Sequence, residues 1–178
     1  MILSDFEIEQ ERMIDPFVGK KTGCPSHGLS SYGYDIRLGT EFKRYRSNQP
    51  GMLSPNRPDL LKEGEHFETL HSNYAYTLYP GGFVLAHSME VISMPSTVIA
   101  MVKDKSTYAR LGVALQNTVL EPGWTGQITL EITNHNTRPV LLLVNEGIAQ
   151  IMFWKGKPCH TPYGDGKYQD QVGTVMPR

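Results

Sequence analysis

Residues 103–110 combine charge, hydroxyl groups and a predicted helix start, a combination that suits binding of an anion. They read Lys103-Asp104-Lys105-Ser106-Thr107-Tyr108-Ala109-Arg110. We predict a brief helix that Ser106 caps and Gly112 ends. The free N–H groups and the positive dipole end of a helix N-terminus suit a phosphate, and Arg110, four residues after Ser106, can clamp one over the same face. From these residues alone, a solvated charged turn remains the alternative.

Glu131 is a lone carboxylate within a strongly alternating segment. One face of the predicted strand carries Gln127, Thr129, Glu131 and Thr133, and the other carries Ile128, Leu130 and Ile132. A carboxylate in such a strand either faces water or belongs to a site. If it is partly buried, its pKa rises and it can exchange protons near neutral pH. The periodicity leaves both interpretations open.

The segment from Tyr163 to Gln171 is the third candidate for chemistry. It reads Tyr163-Gly164-Asp165-Gly166-Lys167-Tyr168-Gln169-Asp170-Gln171 and so carries aromatic, cationic and amide groups on a glycine-rich backbone. Such a segment can act as a lid over a ligand. A flexible tail is the alternative, because residues 163–178 contain little apolar side chain.

A zinc site is not supported by the spacing of histidine and cysteine. Zinc-dependent nucleobase deaminases carry H-x-E followed by P-C-x-x-C. His66-Phe67-Glu68 matches the first part, but Pro158-Cys159-His160-Thr161 lacks the second cysteine. We therefore expect any deamination chemistry here to proceed without zinc.

The elements that must position these residues are mainly short strands. A capping box at Ser4 and Glu7 predicts a short N-terminal helix that stops before Pro16. Residues 46–66 are polar and broken by prolines, which indicates a long excursion. Closely spaced strands with few helices favour a β-sandwich or barrel. The predicted strands cover residues 34–38, 83–87, 98–102, 113–116, 127–133, 140–144 and 148–153.

Composition sets limits on the class of protein. The chain has 178 residues, which indicates a single domain over residues 1–178. Seventeen Lys and Arg against eighteen Asp and Glu give a net charge of -1, which argues against a nucleic-acid coat or a membrane-surface protein. Two cysteines, no signal peptide and no apolar run near the ~20 residues of a bilayer span favour a cytoplasmic setting.

Taken together, six motifs resemble the dCTP deaminase family of the trimeric dUTPase-like superfamily. The resemblance covers nearly the whole chain, and the motifs occur in the family's order. They lie at residues 28–37 (GLSSYGYDIR), 105–110 (KSTYAR), 120–126 (LEPGWTG), 129–131 (TLE), 145–150 (NEGIAQ) and 166–173 (GKYQDQVG).

The resemblance implies a fold, an assembly and a reaction. The implied subunit is mainly β, a β-clip or distorted jelly roll, assembled as a homotrimer with active sites between subunits. The implied reaction is hydrolytic deamination of dCTP to dUTP and ammonia without zinc, on the path to dUMP and dTTP. Mg²⁺ would accompany the triphosphate, and dTTP would be a feedback inhibitor.

The resemblance also assigns residues. Glu131 matches the proton donor and acceptor, and Ser106 and Arg110 match the groups that arrange the water. The backbone of residues 105–110 matches a phosphate cradle, which covers Lys105, Ser106, Thr107, Tyr108, Ala109 and Arg110. The backbone of Thr129, Leu130 and Glu131 matches the base-binding strand. Nucleotide contacts match Gln150, Tyr163, Lys167 and Gln171, and residues 163–178 would form a lid. A pairing of Arg110 with Glu131 would keep that carboxylate ionised.

Two features keep alternatives open. Residues 115–119, Leu115-Gln116-Asn117-Thr118-Val119, depart from the family's usual Val-His-Val-Thr, so the substrate could be a modified deoxycytidine triphosphate. Glu121 lies where dUTPases keep the aspartate that activates water. A bifunctional enzyme that also cleaves dUTP to dUMP and pyrophosphate is therefore a second reading, while a non-catalytic nucleotide sensor would be expected to lack Glu131 or Arg110.

Overall fold

The first helix is built by the predicted capping box. The structure, a computed structural model, describes residues 1–47, 51–116 and 118–178. Helix α1 covers Asp5–Glu11, and the Ser4 backbone N–H donates to Glu7 Oε2 at 2.9 Å. Arg12 adopts a left-handed conformation (φ 52°) and ends the helix. The predicted short N-terminal helix is thus confirmed.

Strands are the predominant regular structure of the described residues. They are β1 (Ile14–Asp15), β2 (Thr22–Gly23), β3 (Ser26–Ser30), β4 (Gly33–Arg37), β5 (Glu41–Tyr45), β6 (Phe67–His71), β7 (Ala75–Leu78), β8 (Phe83–Ser93), β9 (Val98–Asp104), β10 (Val113–Leu115), β11 (Val119–Leu120), β12 (Thr125–Asn134), β13 (Val140–Leu143) and β14 (Gly147–Lys155). The predicted mainly β class is confirmed.

Two antiparallel sheets hold the candidate segments. Within the described ranges, the first sheet has the order β10-β12-β8-β5-β6, with β1 also paired to β8. The second has the order β11-β9-β14-β4-β3-β2, and β13 pairs with β7 separately. Strand β12, which carries Glu131, is therefore flanked by β10 and β8. Strands β9 and β14, which carry the residues before Lys105 and around Gln150, lie side by side in the other sheet.

One hydrophobic core joins the inward faces of both sheets. Strand β12 buries every second side chain, from Gly126 through Leu130 to Asn134, and leaves the alternate ones partly exposed. The core also takes Tyr34 and Ile36 from β4 and Ile151 and Phe153 from β14, each 0% exposed. The alternation predicted for residues 127–133 is confirmed, and it fixes which face of β12 carries Thr129 and Glu131.

The short helix after β9 begins differently from the prediction. Helix α2 covers Ser106–Ala109, but its N-cap is Lys105, with extended φ and ψ of -80° and 125°, and no side chain caps it. The prediction that Ser106 is the cap is wrong, because β9 runs on to Asp104 and leaves only one residue before the helix. Asp104 Oδ1 instead accepts the Leu115 backbone N–H at 2.7 Å, which ties β9 to β10.

The excursion between β5 and β6 has little regular structure. Residues 48–50 of the predicted excursion lie outside the described residues. A single 3-10 turn, Pro58–Leu60, is found in the described part of the excursion. The described part of the chain contains no helix of the length and apolar character needed to cross a membrane.

Candidate active site

Glu131 projects from the solvent-side face of β12 into a cavity. Its cross-strand neighbour on β8 is Leu85, and its own carbonyl oxygen accepts the Gln116 backbone N–H at 3.0 Å. The register between β12 and β8 shifts between Gln127 and Thr129, and Ser88 Oγ accepts the Ile128 N–H there at 2.8 Å. Glu131 is therefore held on a rigid central strand, three residues beyond an irregularity.

The cavity beside Glu131 has a volume of about 390 Å³ and is lined by aromatic, aliphatic and a few polar side chains. Strand β12 supplies its floor, and β5, β8, the β11 turn and the C-terminal segment supply its sides. The aromatic lining residues are Tyr45, Phe83, Trp124, Tyr163 and Tyr168, and the polar ones are Thr118, Glu121, Thr129, Glu131 and Gln171. A concave apolar site with a few convergent polar groups is the usual form of a small-molecule site.

Burial raises the pKa of the Glu131 carboxyl above its ordinary value of 4.5, and a backbone N–H opposes this to a smaller extent. Among the residues described, no lysine, arginine or histidine nitrogen lies within 4.0 Å of its carboxylate. The expected pairing of Arg110 with Glu131 is therefore absent within one subunit. The carboxyl is instead poised to take up a proton more readily than an exposed glutamate.

The C-terminal segment is ordered against β12, so a flexible tail is wrong for this structure. Gln127 N–H donates to Gln171 O at 2.9 Å, and Gln171 Nε2 donates to Gln127 O at 2.6 Å. Gly173 N–H donates to Gln127 Oε1 at 2.7 Å. Thr174 then bonds to Glu41 through its backbone N–H at 3.0 Å and through its hydroxyl at 2.9 Å. The tail is thus paired to the strand that carries Glu131.

Tyr163 and Gln171, two of the predicted tail contacts, line the Glu131 cavity, whereas Lys167 does not. Tyr163 OH accepts the Tyr168 N–H at 3.1 Å. Lys167 is exposed, and its Nζ donates to Arg178 O at 2.7 Å. Of the three nucleotide contacts predicted in residues 163–178, two therefore lie at the cavity.

The α2 turn lies outside the cavity. Ser106, Thr107, Ala109 and Arg110 are exposed, and Arg110 Nη1 donates to Ser106 Oγ at 3.4 Å, as the spacing of four residues predicts. Tyr108 is buried, and its hydroxyl accepts the Leu143 N–H at 2.9 Å. One subunit thus presents the cavity and the α2 turn as separate surfaces.

Three further predicted contacts have side chains committed elsewhere. Lys105 is buried, and its Nζ donates to Asp35 Oδ2 at 2.6 Å, so its ammonium group is not a free cation. Leu130 is 1% exposed and belongs to the core, which leaves only its backbone for a ligand. Gln150 on β14 donates to Ser30 Oγ at 3.4 Å, on the sheet that leads into α2.

The unusual segment 115–119 borders the cavity in part. Thr118 lines it, whereas Gln116 is exposed and donates to Thr133 Oγ1 at 3.3 Å. Asn117 lies outside the described residues. Glu121 lines the same cavity as Glu131, so two carboxylates face one space.

Histidine, cysteine, aspartate and glutamate form no metal-ligating cluster of three or more in the parts of the chain described above. Cys24 and Cys159 are exposed and free.

Comparison with known proteins decides the family. A family model described as "dCTP deaminase-like" matches residues 2–156 of this chain. The chain belongs to the dCTP deaminase-like family.

Named relatives agree with this membership. The chain is 42% identical over 176 residues to a protein of Campylobacter fetus subsp. fetus named dCTP deaminase, covering 95% of this chain and 91% of the relative. It is 40% identical over 171 residues to a dCTP deaminase of Acidobacterium capsulatum, covering 93% of this chain and 91% of that one.

The fold matches the crystal structure of 2'-deoxycytidine 5'-triphosphate deaminase from Agrobacterium tumefaciens with a TM-score of 0.65 at 20% identity. The match covers 87% of this chain and 48% of that one, so this chain spans about half its length. This likeness confirms the fold.

Sequence reasoning missed several residues of this family member's cavity. Tyr45 and Phe83 stack with ring centroids 6.3 Å apart, and they come from strands whose order the sequence does not reveal. Trp124 is buried and also donates from Nε1 to Tyr168 O at 2.9 Å, which ties the tail to the cavity. Gln127 binds the C-terminal segment, and the only sign of this in the sequence is its position on the same strand face as Glu131.

Proposed function

We propose that this protein catalyses the hydrolytic deamination of dCTP to dUTP and ammonia, with Glu131 as the proton acceptor and donor and without zinc. The observation that carries the proposal is Glu131 itself, a partly buried carboxyl with a raised pKa on the wall of a 390 Å³ cavity. Relatives at 42% and 40% identity over most of the chain bear the name dCTP deaminase.

The chemistry needs one carboxyl that can both take and give a proton. Water is a poor nucleophile near neutral pH, so a general base must remove its proton as it attacks C4 of the cytosine ring. The Glu131 carboxylate takes that proton and passes it to N3. It then takes the proton of the new C4 hydroxyl and gives it to the amino group, which leaves as ammonia while the C4 carbonyl forms. A pKa raised toward neutrality suits both steps, because the group must be ionised at the start and protonated in the middle.

A zinc-activated water is the alternative route, and it needs at least three protein ligands. No cluster of three or more metal-ligating side chains occurs among the residues described. Mg²⁺ is different, because it keeps several waters and binds through substrate phosphates. Its place in the proposal is as part of the substrate, the Mg²⁺ complex of dCTP.

We further propose a homotrimer whose active sites are shared between subunits. Ser106 and Arg110 are exposed on a surface separate from the cavity of Glu131, so one subunit does not bring the three proposed catalytic residues together. A second copy that presents its α2 turn to the cavity would complete the site. Arg110 would then lie beside Glu131 across the interface, where its charge would offset part of the rise in pKa that burial causes.

The tail is proposed to bind the nucleotide as well as to cover it. Tyr163 and Gln171 already line the cavity, and Lys167 lies on the exposed side of the same segment. The backbone of Thr129 to Glu131 would hydrogen-bond the base. The α2 turn, with Lys105 to Arg110, and Gln150 would hold the phosphates and sugar.

The test is a product assay on the full chain. We expect incubation with dCTP and Mg²⁺ to release ammonia and dUTP in equal amounts without pyrophosphate, and chelation of zinc to leave the rate unchanged. Absence of ammonia from protein that binds dCTP would contradict the proposal and favour a nucleotide sensor.

Glu121 gives a specific reason to consider a second activity. It lines the same cavity as Glu131, so a second carboxylate is available to activate water at the phosphates. A bifunctional enzyme would release pyrophosphate from dCTP or dUTP, and Glu121→Gln would abolish the pyrophosphate while sparing the ammonia.

A modified deoxycytidine triphosphate, assayed beside dCTP, tests whether the segment around Thr118 has changed the preferred base.

A further inference from the structure

Asp35 is a buried carboxylate that holds two lysines on a single oxygen. Lys105 Nζ lies 2.6 Å from Asp35 Oδ2, and Lys21 Nζ lies 2.8 Å from the same atom. We call Lys21, Asp35 and Lys105 the Asp35 cluster. Two ammonium groups against one carboxylate leave one positive charge in excess.

The excess charge resides on the solvent-facing lysine. The Lys105 side chain is 8% exposed and also donates to Ser26 Oγ at 3.4 Å, whereas the Lys21 side chain is 42% exposed. A buried ammonium beside a buried carboxylate is neutralised in place. The Lys21 ammonium is therefore held by Asp35 on one side and exposed to solvent on the other.

The Asp35 cluster adjoins both segments that would hold the phosphates. Lys105 is the N-cap of α2, directly before the exposed Ser106. Asp35 pairs with Gln150 in the register of β4 and β14. The Lys21 ammonium is thus linked to the start of the α2 turn through Asp35 and Lys105.

A groove beside Lys21 has the polarity that an anion requires. It has a volume of about 410 Å³ and is lined by Gly19, Lys20, Lys21, Leu29, Ser30, Ser31 and Asp5. Ser30 Oγ accepts from Gln150 Nε2, which links the groove to the predicted nucleotide contact. The one carboxylate on the rim, Asp5, already accepts the Phe6 N–H at 2.8 Å.

We infer that Lys21 binds the polyphosphate of the nucleotide and that Asp35 positions it, with Lys105 as the buried counter-charge. The inference rests on the proposed function and deepens it, since the free cation at the phosphates becomes Lys21 in place of Lys105. A lysine ammonium is a compact point charge suited to phosphate, and anchoring by Asp35 lowers the entropy lost when it binds.

The experiment compares Lys21→Met with Lys157→Met, which removes the same charge from an exposed lysine outside the groove, and with Lys21→Arg, which keeps the charge. Deamination of dCTP gives KM and kcat, and calorimetric titration with inorganic tripolyphosphate gives a Kd that does not depend on turnover. For Lys21→Met we expect both KM and Kd to rise about tenfold, equivalent to ~1.4 kcal/mol, with kcat nearly unchanged. Lys157→Met and Lys21→Arg should stay within about threefold of the wild type.

Equal effects of Lys21→Met and Lys157→Met would overturn the inference, because they would reflect general surface charge. A fall in kcat with unchanged KM and Kd would overturn it as well. If the wild type releases no ammonia from dCTP, the proposed function fails, and the tripolyphosphate titration still decides the role of Lys21. Thermal unfolding of each variant confirms that the exposed substitutions leave the fold intact.

Discussion

Replacing Asp35 with asparagine removes the charge of the Asp35 cluster while nearly preserving its shape. The Asp35 side chain is 2% exposed and its partner Lys105 is 8% exposed, so the pair belongs to the interior rather than to the surface. Breaking a buried pair by removing one partner costs about 3–5 kcal/mol, because the remaining charge stays buried without compensation. The third member, Lys21, is 42% exposed, and its contact with Asp35 is worth ~1 kcal/mol or less.

Asp35→Asn should therefore lower the free energy of unfolding by about 3–5 kcal/mol, which corresponds to a fall in Tm of roughly 6–20 °C for a domain of this size. Lys21→Met should change it by ~1 kcal/mol or less. The double variant Asp35→Asn with Lys105→Met leaves no buried charge, and it should cost less than the sum of the two single substitutions.

Urea unfolding followed by circular dichroism at one protein concentration measures the change in the free energy of unfolding for Asp35→Asn, Lys105→Met, their double variant and Lys21→Met. A loss of ~1 kcal/mol or less for Asp35→Asn would show that the pair behaves as a surface contact, and the reasoning would be refuted. Additivity in the double variant would refute it equally, because the cost would then not come from an orphaned Lys105. Since Lys105 is the N-cap of α2, Asp35→Asn should also raise the KM for dCTP.

Three further predictions concern Glu131, the tail and the shared site. Because burial raises the pKa of the Glu131 carboxyl, the acidic limb of the kcat/KM profile should lie above pH 4.5, and a limb at or below pH 4.5 would contradict this. The protonated carboxyl also stabilises the folded state, and this contribution is present at low pH and is lost as the pH rises through the raised pKa. Glu131→Gln should therefore be more stable than the wild type near neutral pH and equally stable in acid. Gln127→Ala removes the hydrogen bond from the Gly173 N–H, so amide hydrogen exchange of residues 171–175 should quicken about tenfold. Gln116→Ala, the control, removes a glutamine without tail contacts and should leave the exchange rate unchanged. Equal exchange rates in the two variants would refute the role of Gln127 in holding the tail. Co-expressed Glu131→Gln and Arg110→Ala subunits, each inactive alone, should regain about a quarter of the wild-type activity if sites are shared between neighbours in a symmetric ring, and none if each subunit carries a whole site.

Local patterns in the sequence were sufficient for β4, β8–β10 and β12–β14 and for the face of Glu131, whereas β1–β3, β5–β7 and β11 were not predicted. Alternation over residues 127–133 depends only on the pleat, so it placed Thr129 and Glu131 together opposite Leu130. The capping box at Ser4 and Glu7 acts within one turn and was equally legible. The resemblance to a family then supplied the roles of these residues.

Contacts between distant segments were not predictable in the same way. Asp35 and Lys105 are 70 residues apart, and only the pairing of β4, β14 and β9 brings them together, so the ion pair of Lys105 was not predicted. The tail looked flexible because its apolar content is low, yet its order comes from backbone and amide bonds to Gln127 and Glu41. The separation of Arg110 from Glu131 depends on which face of the subunit each occupies, and their spacing along the chain does not reveal it.

The most direct test of the account is the turnover of Glu131→Gln. Glutamine keeps the size of the side chain and removes its ability to take a proton from water. We predict that ammonia release from dCTP falls by about 10²–10⁴-fold or more, with the Kd of dCTP within about threefold of the wild type by calorimetric titration. Ammonia release within about tenfold of the wild type would contradict the assignment of Glu131 as the proton acceptor.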